Sequence, residues 1–242
     1  MFLTEEDLNA AKNREEPSTV LQCLAVRERW FNKICSYHIK SNNVKQIIIL
    51  GSGFDTRPCK MNSQNQKDKQ NEKLYSQVKF FEVDCEQILD IKGEILSKAG
   101  VEKNAEYICA DYTDEGFMEK LKLHGVNFTI DTLIIWEGNS MYHQLEKINN
   151  LFSKIKSAFK NVHIAFDYFT RDFISEPSIF TLHRQGMWKT GLNADDLEKL
   201  ALQTGFNIIA TDSIATLEKQ YEVNSNPPPE SEAYKCSVLR NY

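Results

Sequence analysis

The sequence predicts an α/β protein built on an open, doubly wound parallel sheet with helices on both faces. Candidate strands alternate with candidate helices along the 242 residues, and this alternation is typical of strand–helix–strand crossovers. Several candidate strands are continuous apolar runs, as expected for strands that are buried on both faces. The length fits a single domain that spans residues 1–242.

The elements are predicted in a regular order. Strands are expected at residues 45–50, 78–83, 106–109, 129–136, 162–167, 206–210 and 234–239. Helices are expected at residues 18–39, 86–99, 115–123, 144–159 and 194–203. The fourth helix carries apolar residues at three- and four-residue spacing, so we expect one of its faces to pack on the sheet.

Four further segments have their own interpretation. Residues 1–40 are expected to form an N-terminal helical cap. Residues 62–77 are almost wholly polar and read as a surface insertion, because they hold too little apolar surface to offset the entropy of ordering. Residues 224–231 contain three successive prolines and are expected to be loop. Residues 171–192 are expected to cover the substrate.

Composition excludes several functional classes. The chain has 29 basic and 34 acidic residues, which is unlike the basic surface of a nucleic-acid binder. No apolar run approaches the ~18 residues needed to cross a membrane, and the N-terminus lacks the apolar core of a signal peptide, so we expect a cytoplasmic protein. The six cysteines include no C-x-x-C pair, so we expect neither a metal site nor a thiol redox motif.

Ligands of an open α/β sheet bind beyond the carboxyl ends of its strands, where the strand order reverses. After the first strand, Gly51 and Gly53 permit a tight turn and the close approach of a ligand. The dinucleotide fingerprint G-x-G-x-x-G is not completed here. The alternative to a ligand-binding turn at Gly51 and Gly53 is an ordinary turn between a strand and a helix.

Acidic residues follow the second and third strands. Asp84 can accept both hydroxyls of a ribose, or it can cap the helix that follows. Asp111 can accept the exocyclic amine of an adenine, with Tyr112 beside the ring, or it can be a solvated turn residue. Thr113 or Asp114 is expected to cap the next helix.

Two charged residues of opposite sign, Glu137 and Arg27, lie where the sequence pattern predicts an apolar environment. Glu137 directly ends an apolar strand, and a buried carboxylate requires a cationic partner: a ligand ammonium, a sulfonium or a protein arginine. Arg27 falls on the apolar face of the first helix, where it requires a carboxylate or a phosphate from the protein or a ligand. Alternatively, Arg27 extends to the rim of the site.

Together these residues would suit a ligand that has an adenine, a ribose, a carboxylate and a cationic centre. S-adenosylmethionine has all four, whereas NAD would require the full glycine fingerprint. We expect the loops at successive strand ends to converge on a single pocket.

Five ordered motifs also resemble those of the leucine carboxyl methyltransferase family. They are AVRERWFNK, QIIILGSGFDTRP, FFEVD, ADYTD and WEGNSMY, and FDYF resembles the family's fifth-strand end. The similarity covers roughly residues 20–170. It implies a class I methyltransferase fold, Rossmann-like, with seven strands of which the last is antiparallel.

The resemblance implies a role for each matching residue. Arg27 would hold the methionine carboxylate, Gly51 would border the methionyl group with Gly53 beside it, and Asp84 would bind the ribose. Asp111 and Tyr112 would bind the adenine, and Glu137 would bind the methionine amine region. The chain departs from the family at Cys85, where proline is usual, and only about twenty residues precede the arginine helix.

The expected activity is methyl transfer from S-adenosylmethionine to a carboxylate or hydroxyl oxygen of a small molecule, with S-adenosylhomocysteine as product. The alternatives are methylation of a protein's C-terminal leucine and a non-catalytic protein that binds S-adenosyl ligands. His143 and His183 are candidate bases for a hydroxyl acceptor, and Tyr142 and Tyr168 could line the acceptor side. No catalytic residue and no oligomeric state are predicted.

Overall fold

The computed structural model describes residues 19–42, 44–64, 72–176 and 187–241. In chain order, these residues form α1 (Thr19–Ser41), β1 (Gln46–Leu50), α2 (Arg57–Gln64), α3 (Glu72–Tyr75), β2 (Lys79–Asp84), α4 (Glu86–Lys98), β3 (Glu106–Cys109), α5 (Phe117–Leu123), β4 (Thr132–Trp136), a 3₁₀ turn (Ser140–Tyr142), α6 (Leu145–Ala158), β5 (Val162–Phe169), α7 (Arg171–Ser175), α8 (Ala194–Thr204), β6 (Phe206–Ser213), α9 (Ile214–Gln220), α10 (Pro229–Ala233) and β7 (Tyr234–Asn241).

The strands form one seven-stranded sheet in the order β3-β2-β1-β4-β5-β7-β6. The pairs β3/β2, β2/β1, β1/β4 and β4/β5 are parallel, whereas β7 is antiparallel to both of its neighbours. The predicted fold class is therefore confirmed. The strand order reverses between β1 and β4, so ligand binding is expected where these two strands end.

Two hydrophobic cores lie on opposite faces of the sheet, because successive side chains of a strand point in opposite directions. Ile48 and Leu50 of β1 belong to one core, which α5, α6 and α8 cover. Ile47 and Ile49 belong to the other, which α1 and α9 cover. All five residues of β1 are buried, which explains why the strand reads as an unbroken apolar run.

The spacing of Val20, Leu24, Arg27, Phe31 and Ile34 predicts the buried stripe of α1, and of the last four only Phe31 is buried. Val26, Trp30 and Phe31 are at most 3% exposed, whereas Leu24 is 37% exposed. The helix is rotated so that Leu24 and Arg27 reach the edge of the sheet, where both line a cavity.

Other departures concern element ends. The strand expected from residue 129 begins at Thr132, because Thr129 instead closes a turn by donating two hydrogen bonds to Asn127. The proline run was expected to be loop throughout, but Pro229 opens the short helix α10. A proline is tolerated in the first turn of a helix because the N–H that it lacks has no partner there.

Parts of the predicted segments lie outside the described residues: 1–18 of the N-terminal cap, 65–71 of the polar insertion and 177–186 of the substrate-covering segment, which include His183. The insertion at 62–77 overlaps the end of α2 and all of α3. In the described ranges, no helix has both the length and the apolar character that crossing a bilayer requires.

Candidate functional site

The loops after β1 and β4 are joined by a single side chain. Asn139 donates from Nδ2 to the carbonyl oxygens of Gly51 (3.3 Å) and Glu137 (2.7 Å). Gly51 has a φ of +61°, and a Cβ built there would lie 2.7 Å from Asn139 Nδ2. The position therefore requires glycine both for its backbone conformation and for the close approach of Asn139. Asn139 is not among the site residues that the sequence predicts.

The loop after β1 is also tied to the end of β2. The backbone N–H of Gly53 donates to Asp84 Oδ2 (2.8 Å), and that of Cys85 donates to Oδ1 (2.8 Å). The N-cap residue of α4 is Cys85, without a side-chain cap bond, so Asp84 does not cap this helix in the usual way. A carboxylate has about four acceptor positions, so Asp84 retains acceptors for a ligand.

A cavity of about 390 Å³ opens beside Asp84, and we call it the β2–β3 cavity. It is lined by Asp84, Cys85, Glu86, Cys109, Ala110, Asp111, Tyr112, Lys120 and His143. Three of the predicted site residues, Asp84, Asp111 and Tyr112, therefore meet in one place.

Asp111 closes a turn within this cavity. Its Oδ1 accepts the backbone N–H of Thr113 (2.8 Å) and the Thr113 hydroxyl (2.7 Å). Burial opposes ionisation of Asp111, but these two hydrogen bonds outweigh it and hold the pKa below its usual value. The expectation that Thr113 or Asp114 caps the next helix is wrong, because α5 begins after Gly116.

Tyr112 and His143 form a pair at the wall of the β2–β3 cavity. The Tyr112 hydroxyl lies 2.9 Å from His143 Nε2. Burial raises the pKa of Tyr112 to about 12 and lowers that of His143, so at neutral pH the tyrosine donates to a neutral imidazole. The Tyr112 ring packs edge-on against Trp136 at 5.9 Å. The Nε2 atom of His143 therefore accepts the hydrogen bond of the Tyr112 hydroxyl.

A second cavity of about 520 Å³ lies between α1 and the end of β1, and we call it the β1–α1 cavity. Its charged and glycine lining includes Arg27, Gly51, Asp55, Arg57 and Glu137. Its apolar lining includes Leu21, Leu24 and Phe54, which are 46%, 37% and 50% exposed.

Charged side chains at this cavity form an arginine–carboxylate network of Arg27, Arg57, Asp55, Glu137 and Asp167. Glu137 pairs with Arg27 Nε (2.8 Å) and with Arg57 Nη2. Arg57 Nη1 also pairs with Asp55, and Arg27 Nη1 pairs with Asp167 (3.4 Å). The partners that Glu137 required are therefore protein arginines, and Arg27, whose side chain is 19% exposed, has protein carboxylate partners.

Burial accounts for the titration behaviour of this network. It raises the pKa of both Asp55 and Asp167, although arginines oppose the shift. Asp167 also accepts hydrogen bonds from the Tyr234 hydroxyl and from the Gly138 N–H (2.6 Å). Arg57 and Asp167 were not predicted as site residues, although both belong to motifs that resemble those of the family: Arg57 to GSGFDTRP and Asp167 to FDYF.

The predicted single pocket is divided in two. Arg27, Gly51 and Glu137 line the β1–α1 cavity, whereas Asp84, Asp111 and Tyr112 line the β2–β3 cavity. The turn around Gly53 lies between them, because residues 51 and 52 line the first cavity while Gly53 bonds to Asp84 in the second. The expectation of a single pocket is therefore wrong: the predicted residues line two separate cavities, or compartments, which are linked by the hydrogen bond from Gly53 to Asp84.

Tyr142 and Tyr168 have different surroundings. Tyr168 is 2% exposed and its hydroxyl lies 3.2 Å from Ser237 Oγ, so it is a core residue. Tyr142 is 41% exposed beside the loop that follows β4. Within the described ranges, no cluster of three or more His, Cys, Asp or Glu side chains could hold a metal ion.

The sequence pattern of one family, leucine carboxyl methyltransferase, matches residues 2–156 of this chain. No curated protein sequence matches it.

Several solved structures share the fold. A putative methyltransferase from Thermobifida fusca superposes with a TM-score of 0.67 at 14% identity, covering 97% of this chain and 86% of that one. Magnesium protoporphyrin IX methyltransferase from Synechocystis, with bound S-adenosylhomocysteine, gives 0.59 at 9% identity, with 97% and 93% covered. An O-methyltransferase family protein from Burkholderia thailandensis gives 0.54 at 11%, with 100% and 64% covered.

Proposed function

The chain belongs to the leucine carboxyl methyltransferase family, and from that membership we propose that it transfers a methyl group from S-adenosylmethionine to an oxygen atom of a small molecule. The observation that carries the proposal is the hydrogen bond from Gly53 N to Asp84 Oδ2 (2.8 Å). It places an acidic residue at the end of β2 next to a glycine turn at the switch point of the sheet, where ligands of open α/β sheets bind.

The residues present fit this cofactor. The β2–β3 cavity offers carboxylate acceptors at Asp84 and Asp111 and an aromatic ring at Tyr112, which suit a ribose and an adenine. The β1–α1 cavity contains Arg27, whose described contacts use Nε and Nη1. Among the described residues, Nη2 has no acceptor, so it can donate to the carboxylate of the methionyl half.

The role of Glu137 follows from its two ion pairs. Both of its oxygens face guanidinium groups, from Arg27 and Arg57, so it holds these side chains at the cavity. Its remaining acceptor positions suit the methionine amine. In this proposal Glu137 orients the arginines and binds the cofactor, and it takes no proton during the reaction.

When bound, the cofactor supplies an electrophilic methyl group on a sulfonium. The protein must then hold the acceptor oxygen in line with that methyl group and exclude water, which are positional tasks. A carboxylate acceptor is already ionised near neutral pH and needs no base. Leu21, Leu24 and Phe54 line the β1–α1 cavity and suit an acceptor that has an apolar body. The nearby cations Arg57 and Lys60 are already paired with carboxylates.

The cofactor site is tested by calorimetry with S-adenosylhomocysteine. We expect Asp84→Ala to weaken binding at least about tenfold, because a charge-assisted hydrogen bond contributes about 1.5–3 kcal/mol. Asp90→Ala is the matched control, since Asp90 is an exposed aspartate on α4. Equal affinities of the wild type and Asp84→Ala would reject the assignment of the site.

The acceptor class is tested by methyl transfer with labelled cofactor. We expect turnover with small carboxylates or hydroxyl compounds and none with peptides that end in leucine. Turnover only with the peptides would overturn the small-molecule assignment. Cofactor binding without turnover on any acceptor would favour a non-catalytic binding protein.

A further inference from the structure

Two thiols line the β2–β3 cavity. Cys85 follows β2 directly and Cys109 is the last residue of β3, and both are exposed. The parallel register pairs Cys109 with Asp84, the residue before Cys85. Cys109 is therefore the cross-strand neighbour of Asp84, and Cys85 follows Asp84 in the chain, so both cysteines share a cavity with the carboxylate that we assign to the ribose.

The other four cysteines are less accessible. Cys35 and Cys236 are buried, and Cys23 and Cys59 are partly buried. Burial raises the pKa of each of these four thiols, that of Cys35 to about 12. Because the thiolate is the reactive form, these four are expected to react slowly in the folded protein.

The charge around the two exposed thiols selects their reaction partner. Three carboxylates, Asp84, Glu86 and Asp111, line the β2–β3 cavity together with one cation, Lys120. Lys120 Nζ donates to the carbonyl oxygen of Cys109 at 3.1 Å, so this cation lies at the carboxyl end of β3. The cavity is therefore negative overall, and it favours cationic and neutral reagents over anionic ones.

We propose that Cys85 and Cys109 form a thiol-modification site for small cationic disulfides, and that their modification blocks the adenosyl compartment. A mixed disulfide on either thiol would occupy part of the same cavity, of about 390 Å³, that we assign to the adenosyl group. The blocking part of this inference rests on the proposed function, whereas the reactivity of the thiols does not.

The step is a thiol–disulfide exchange. The protein thiol loses its proton to solvent, and the thiolate sulfur attacks one sulfur of the small disulfide. A new sulfur–sulfur bond to the protein forms as the original one breaks, and the other half of the reagent leaves as a thiolate that takes up a proton. The small disulfide is the oxidant, and an added thiol reverses the reaction.

The site is tested with three disulfides of different charge: cystamine, 2-hydroxyethyl disulfide and oxidised glutathione. Peptide mass spectrometry of the folded protein is expected to find the label on Cys85 and Cys109. The labelling rate should fall in the order given, by about threefold or more from cystamine to oxidised glutathione. Labelling mainly at the other cysteines, or fastest labelling by oxidised glutathione, would overturn the site.

Blocking is tested by calorimetry with S-adenosylhomocysteine before and after cystamine treatment. We expect at least about a tenfold loss of affinity that dithiothreitol restores, and slower labelling when S-adenosylhomocysteine is already bound. Unchanged affinity of the labelled protein would overturn blocking. If the untreated protein does not bind S-adenosylhomocysteine, the proposed function and the blocking fail together, while the labelling pattern still decides the reactive site.

Cysteine variants separate this site from general oxidation. In Cys85→Ser/Cys109→Ser, cystamine treatment should leave the affinity at the value of the same variant before treatment. In the control Cys59→Ser, treatment should cause the same loss as in the wild type, because Cys59 lies outside the β2–β3 cavity lining and bonds to the Glu102 carbonyl oxygen. Sensitivity of the double variant would contradict the proposal.

Discussion

Arg27 contacts three separate parts of the fold. It pairs with Glu137 after β4 and with Asp167 in β5, and it donates to the Tyr234 hydroxyl at the start of β7 (2.6 Å). Asp167 is completely buried, so its charge depends on this guanidinium. A residue predicted for cofactor binding is thus also part of the folded framework.

We expect Arg27→Ala to lower the free energy of unfolding by about 3 kcal/mol, because it leaves the Asp167 carboxylate buried without a cation. Urea denaturation measures the loss. Arg29→Ala is the control, since Arg29 is exposed and stacks on Tyr221 at 4.2 Å, so its loss should stay within about 1 kcal/mol.

Arg27→Lys separates the two roles of this residue. Lysine keeps a charge near Asp167 but lacks the planar fork that serves several acceptors at once. We expect a smaller loss of stability than in Arg27→Ala, together with weakened binding of S-adenosylhomocysteine in calorimetry. Wild-type affinity in Arg27→Lys would exclude a role for the fork in binding the cofactor.

The sequence left three partners open for Glu137, and only the fold could choose among them. Arg57 lies 80 residues before Glu137 in the chain, and the pairing of β1 with β4 brings the two together. Asp84, Asp111 and Tyr112 were easier to group, because they follow neighbouring strands of a parallel sheet. The division into two cavities depends on where the turn after β1 meets the Asp84 carboxylate, which residue spacing does not reveal.

At the scale of elements, the turn after β1 sets the shape of the site. Gly51 and Gly53 both have positive φ, of +61° and +46°. Around Gly51 the space for a Cβ is filled by Asn139, whereas no heavy atom of the described residues lies within 4 Å of a Cβ at Gly53. The two glycines therefore face different constraints in the same turn.

We expect Gly51→Ala to destabilise the protein more than Gly53→Ala does. Both variants incur backbone strain of about 1 kcal/mol, but only Gly51→Ala also displaces Asn139 from its bonds to the loops after β1 and β4. Urea denaturation of both variants measures the difference. A larger loss in Gly53→Ala would contradict this account of the turn.

Most strands and the longer helices were predictable because their apolar patterns are strong, and of the short helices only α5 was predicted. The helix α2 is short and mostly polar, and few apolar residues mark its buried face. The helix α9 did carry a signal that was missed: Ser213 accepts the backbone N–H of Thr216 (3.0 Å), as an N-cap serine does. The C-terminal half of β6 is polar, so its pairing with β7, and not its composition, makes it a strand.

At the scale of the whole molecule, two buried histidines couple folding to pH. His38 of α1 and His163 of β5 lie with ring centroids 4.3 Å apart, and Arg240 and Asp131 are the charged groups that act on them. Burial lowers the pKa of His38 to about 3 and that of His163 to about 4. Each of these two histidines therefore binds a proton more readily in the unfolded chain than in the native protein below pH ~6.5.

We expect the stability that these two neutral histidines contribute to be at its full value above pH ~6.5 and to fall as the pH drops toward 4, by up to about 1.4 kcal/mol per pH unit for each histidine. Burial raises the pKa of Glu82 to about 7, which acts in the opposite direction, so the comparison with a histidine variant isolates the effect. Urea denaturation at pH 7 and pH 5 measures the fall. His38→Gln/His163→Gln should lose less free energy over the same interval. An equal loss in the variant would assign the acid sensitivity to other groups.

The two compartments on either side of the Gly53 turn also have a consequence for ligand discovery. Fragments such as adenosine and methionine should each occupy one compartment without competing, and each should bind weakly. A molecule that spans both gains affinity through effective concentration, because its second half binds intramolecularly. Inhibitors of this protein can therefore be assembled from two independently optimised halves, with a linker that bends around the turn.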